Sequence, residues 1–123
     1  LPVQENEVRK SKNPEDLFAL DSLKLFLKND KEAIKTVLES FITSTNSNLI
    51  ILENSIQTSE FDKTKQVAHK MAPMFKQIQA TEIAVILNSL ELQDHSQDEL
   101  AAHFSNLQSK IKDLFKSLEK EIY

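Results

Sequence analysis

Residues 29–56, NDKEAIKTVLESFITSTNSNLIILENSI, decide the fold. Within them Ile34, Leu38, Phe41, Ile42, Thr45, Leu49, Leu52 and Ile56 recur at three- and four-residue spacing, the stripe of an amphipathic helix, with no convincing alternation of period two. Asn29 is expected to cap this helix, with Glu32 three residues on completing a capping box. The spacing predicts a helix of roughly 28 residues, about 40 Å long at 1.5 Å per residue. A helix of that length in a chain of 123 residues needs comparable helices laid along it. The expected architecture is therefore all-α, an up-and-down four-helix bundle joined by short loops, with a short additional N-terminal helix.

Outward from this segment the same periodicity continues. A short first helix is expected over 14–28, burying Leu17, Phe18, Leu23 and Leu27. A third begins after Asp62 and turns Val67, Met71, Met74, Phe75 and Ile78 inward. Thr81 is expected to cap a fourth, whose buried face holds Ile83, Ile86, Leu87 and Leu90. Ser96 and Glu99 have capping-box spacing and open the last, with Leu100, Phe104, Leu107, Ile111, Leu114, Phe115, Leu118 and Ile122 on one side. The methionines and phenylalanines are assigned to the core by their places on these stripes. Residues 1–13 carry no apolar stripe and are expected to be a linker or flexible tail; residues 14–123 form one domain, since this length supports a single hydrophobic core.

Composition excludes whole classes of function. The chain contains no glycine, so the phosphate-cradling loops and dinucleotide turns that need a bare backbone are ruled out. It contains no cysteine, which removes disulfides, thiolate nucleophiles and most structural zinc sites. A net charge of −4 argues against a general nucleic-acid binder. No apolar run is long enough to cross a bilayer, so no direct membrane contact is expected.

Against this acidic background one segment is locally basic. Lys63, Lys65, Lys70 and Lys76 surround His69, and no Asp or Glu occurs between Asp62 and Glu82. Helical geometry puts Lys65, four residues before, and Lys76, seven after, on the same face as His69. Imidazole is nucleophilic near neutral pH, and ammonium groups attract phosphoryl oxygens. No acid in this stretch could orient His69 as the base of a hydrolytic triad, and no suitable Ser or Cys nucleophile is evident. The pattern suits a residue that holds a phosphoryl group while a partner supplies the remaining chemistry.

The run Val67-Ala68-His69-Lys70-Met71-Ala72-Pro73-Met74-Phe75, followed by Gln79-Ala80 and Ile86-Leu87-Asn88-Ser89-Leu90-Glu91, resembles histidine-containing phosphotransfer (HPt) domains of bacterial two-component phosphorelays, including those of hybrid sensor kinases. The resemblance in helix order extends from about Phe18 to the C-terminus. It implies a stoichiometric phosphocarrier, not an enzyme, in which His69 exchanges a phosphoryl group with the aspartate of response-regulator receiver domains. It also implies no cofactor of its own, magnesium on the receiver, a monomeric isolated domain, and a cytoplasmic location, free or at the cytoplasmic end of a membrane-anchored kinase. Lys65, Lys70, Ala72, Pro73 and Lys76 are the expected phosphate-stabilising or docking positions.

Two positions depart from the family pattern, which has Lys three residues after the histidine and Gly four after, where this chain has Ala72 and Pro73. Pro73 has no N–H for the carbonyl of His69, at a cost on the order of 3 kcal/mol in a helix interior, and a bend is expected within 69–74. The departures motivate an alternative, a degenerate module that binds receivers without accepting phosphate. A third possibility is a metal site at His95, Glu99 and His103, whose spacing could put ligands on one helical side. The paired Glu-x-x-His motifs of di-iron bundles are missing.

Overall fold

The computed structural model describes residues 17–123, and all regular structure among them is helical. The expected tail over 1–13 and the start of the first helix at Pro14 lie outside the described residues. Five helices follow in order: α1 (Asp21–Phe26), α2 (Lys31–Gln57), α3 (Phe61–Gln77), α4 (Thr81–Leu92) and α5 (Gln97–Ile122). Connections of three or four residues separate the four longer ones. α2 packs against α3 and α5, and α4 packs against the same two helices, so the four enclose one core.

That core is built from the expected stripes. Leu38 and Leu52 of α2, Phe75 of α3, Leu87 of α4, and Leu107, Leu114 and Leu118 of α5 are fully buried. Phe41 anchors the centre: its ring meets Phe75 edge-on at 4.9 Å and Phe115 edge-on at 5.7 Å. Edge-to-face pairs of this kind add about 0.5–1.5 kcal/mol each beyond the area they bury. One polar pair joins α2 to α3 inside the core, where the Ser55 and Thr64 hydroxyls lie 2.7 Å apart. Each also donates to a carbonyl of its own helix or cap, Leu52 and Glu60 respectively, in alternation with the shared bond. Burial without an unmet polar atom keeps this pair from destabilising the core.

Several local expectations are corrected. The first helix is only Asp21–Phe26 among the described residues, and Leu17 is 43% exposed instead of buried. The backbone before Asp21 serves a tertiary contact: the Ala19 N–H donates to the carbonyl of Ile78, just past α3, at 2.7 Å. Phe26 and Phe61 are exposed, one at the last residue of the short α1 and the other at the entrance to α3. Asp30, not Asn29, caps α2, accepting from the Ala33 N–H at 3.1 Å. Asn29 instead sits at φ 59°, in the left-handed turn that ends α1.

Left-handed residues recur at Ser59 and Gln79, where α2 and α3 end. There the Glu60 N–H donates to Ser55 and the Ala80 N–H to Phe75, both reaching back five residues to close the helix ends. Glycine normally occupies such positions, and a chain without glycine makes these turns against the steric preference of its side chains. Ala80 therefore serves twice: it ends α3 and holds the cap position of α4 without a side-chain bond, displacing the expected Thr81 cap. Ser96 and Glu99 do form the expected capping box at α5, with bonds of 2.8 and 3.1 Å. No helix of the described residues is long and apolar enough to cross a membrane.

Candidate functional site

His69 lies at the midpoint of α3. The inward positions Thr64, Val67, Ala68, Met71, Ala72 and Phe75 are buried and fix which side of the helix meets the core. His69 falls on the other side, and its side chain is 73% exposed. The imidazole is thus carried by a stiff element packed from behind.

One nitrogen of the ring has a partner. Its Nδ1 lies 2.5 Å from Oε2 of Glu91, a half-buried residue in the last turn of α4. This overturns the expectation that His69 has no acid to orient it. The stretch from Asp62 to Glu82 is acid-free along the chain, but folding about the turn before α4 brings an acid from the neighbouring helix. His69 and Glu91 are equally far in sequence from Ala80, at the end of that turn, so an antiparallel α3–α4 pair sets them side by side. The run Leu90-Glu91 closing the fourth stripe was the available signal, and it becomes a contact only once the turn is known. Nε2 makes no hydrogen bond with a described residue.

The lysines divide into two groups. Lys65 contacts Oδ1 of Asp94 at 2.6 Å, in the connection between α4 and α5. This hydrogen bond holds the Lys65 ammonium above its usual pKa and the Asp94 carboxyl below its usual range. Lys70 and Lys76 are exposed and make no salt bridge with a described residue. Ala72 is 2% exposed and faces the core, so it offers no docking surface, whereas Pro73 is exposed. α3 continues without interruption through Pro73. Both His69 and Pro73 face outward, which puts the His69 carbonyl, deprived of an N–H at position 73, on the exposed side of the helix.

The second histidine cluster is differently placed. His95 precedes α5, and its side chain is 9% exposed. Its Nε2 lies 3.1 Å from both the carbonyl and the hydroxyl of Ser89. Its ring meets that of His103 edge-on at 4.6 Å, and its Nδ1 is 3.7 Å from Glu99. Among the described residues no three His, Cys, Asp or Glu side chains come together as a metal ligand set. The histidine positions are thus those of one exposed ring and one packed pair.

No protein-family model, curated protein or solved structure matches the chain.

Proposed function

We propose that this domain is a phosphorelay carrier that accepts a phosphoryl group on Nε2 of His69 and returns it to a receiver aspartate, on the HPt architecture of an up-and-down four-helix bundle with α1 as the short extra helix. The observation that carries the proposal is the pairing of an exposed imidazole with Glu91 at Nδ1. A neutral ring that donates its Nδ1 proton to a carboxylate has its lone pair on Nε2, the nitrogen directed toward a partner. Attack by that lone pair forms the N–P bond while the acyl phosphate bond of the receiver aspartate breaks, releasing its carboxylate. The Nδ1 proton stays between the ring and Glu91, which balances the positive charge the ring gains.

The receiver supplies magnesium and in-line geometry, and this domain supplies a nucleophile already oriented. Exposed Pro73, Lys70 and Lys76 are the docking positions in this proposal, together with Lys65; Ala72 acts only by letting α3 pack closely. Incubation with a phosphorylated receiver tests the proposal. The wild-type chain should acquire an acid-labile, alkali-stable label that His69→Gln reduces to background. A receiver that binds the wild-type chain yet transfers no label would leave the degenerate binding module as the function.

A further inference from the structure

We propose that Lys65 exchanges Asp94 for the phosphoryl group when His69 is phosphorylated, so that the connection between α4 and α5 responds to the charge on that ring. The inference rests on the phosphocarrier proposal and adds a regulatory consequence to it.

A phosphoryl group on Nε2 brings close to two negative charges and three strong acceptors beside Glu91, itself a carboxylate. A cation is needed to balance them. The position three residues after His69 is the buried Ala72, and Lys76 is two turns toward the C-terminal end. Helical side chains lean toward the N-terminus, so the His69 ring inclines over the turn that bears Lys65. Lys65 is therefore the lysine in the direction the phosphoryl group extends.

Its present partner holds it weakly. The Asp94 carboxylate is 95% exposed, and a monoanion so solvated competes poorly with a dianion presented on a rigid ring. The pairs His69–Glu91 and Lys65–Asp94 lie one turn apart along the same α3–α4 seam. Asp94 supplies the loop's salt bridge to α3, whereas the neighbouring His95 is tied to Ser89 of α4. Lys65 and Asp94 also border a pocket of about 210 Å³ with Phe61, Leu90 and His95. Loss of the bridge frees the loop edge of this pocket and changes the surface beside His69 that a receiver meets.

The test uses the chain and potassium phosphoramidate, which phosphorylates an accessible imidazole: the Nε2 lone pair forms the N–P bond, the reagent's P–N bond breaks, and its protonated nitrogen leaves as ammonia while the Nδ1 proton stays on the ring. Backbone amide NMR spectra are compared before and after labelling for the wild type, Lys65→Met and Asp94→Asn. In the wild type, amides of residues 93–96 should shift on labelling. In Asp94→Asn they should start near the labelled position and move little, and labelling should be at least about threefold faster because Lys65 is already released. In Lys65→Met, labelling should be slower by a similar factor and the loop amides should stay still. Equal loop shifts in the wild type and Lys65→Met, or no change of rate in either variant, would overturn the exchange, as would a His69 that phosphoramidate cannot label. Because no receiver is used, a chain that shows the exchange but takes no label from a phosphorylated receiver loses the carrier function and keeps the switch.

Discussion

His69 and His95 carry the same side chain beside an acid, yet the fold gives them opposite roles. His69 projects from the middle of α3, with Nδ1 on Glu91 and Nε2 without a partner among the described residues. His95 is packed at the α4–α5 connection, with Nε2 committed to the Ser89 carbonyl and its ring against His103. The contrast teaches that an imidazole's chemistry is set by which nitrogen is left over after packing, not by the presence of a nearby carboxylate. In the proposed carrier the first ring is the one that reacts, whereas the second closes a loop.

The strongest way to break this contrast is to remove the acid that pairs with the ring proposed to react. Glu91→Ala should slow labelling by a phosphorylated receiver about a hundredfold through loss of ring orientation, whereas Glu91→Gln, whose amide oxygen still accepts the Nδ1 proton, should recover most of the rate. Equal rates for Ala and wild type would show that the orientation contributes nothing. The next effect is on stability. His95→Ala should lower the urea-unfolding free energy by about 1–3 kcal/mol, since it empties a packed site and leaves the Ser89 carbonyl with the Gln93 N–H alone, while His69→Ala should stay within about 0.5 kcal/mol. A reversal of that order would undo the assignment of roles.

A smaller effect concerns the cap that follows His95. The Ser96 backbone hydrogen bond holds the Glu99 carboxyl below its usual range, against an opposing effect of desolvation. A depressed folded pKa means that the contribution is present above the unfolded value, about 4.3, and disappears as pH falls through the folded one. Stability measured from pH 6 down to pH 3 should therefore fall less steeply in Glu99→Gln than in the wild type. The smallest effect lies in the turn that aligns His69 with Glu91. Gln79 sits at φ 56°, so Gln79→Gly should raise stability by up to about 1 kcal/mol, with labelling of His69 unchanged. A loss of labelling there would mean that the turn sets more than register.

The sequence was most legible where a periodic stripe and a cap agreed. The α2 stripe from Leu38 to Ile56 and the Ser96–Glu99 box depend on residues within a few positions of one another, and both are present as expected. It was less legible at Asn29, where two adjacent residues can each cap a helix and the left-handed turn chooses between them. Ala80 shows the same competition, because the chain reversal after α3 uses the position that Thr81 was expected to take. At the candidate site, local periodicity was enough to turn His69, Pro73 and Lys76 outward. Glu91 and Asp94 were not legible along the chain, because their contacts with His69 and Lys65 cross between elements.

By itself the sequence determined an all-helical chain, its long apolar faces, and a histidine on the polar side of a helix with lysines nearby. These follow from short-range periodicity and from the total absence of glycine. Only the tertiary structure decided that Glu91 would hold Nδ1, that Asp94 would hold Lys65, and that Ser89 would occupy His95. Those pairings depend on the register of α4 against α3, which is set by the left-handed turn at Gln79 and by interdigitating core side chains, neither of which acts between neighbours in sequence.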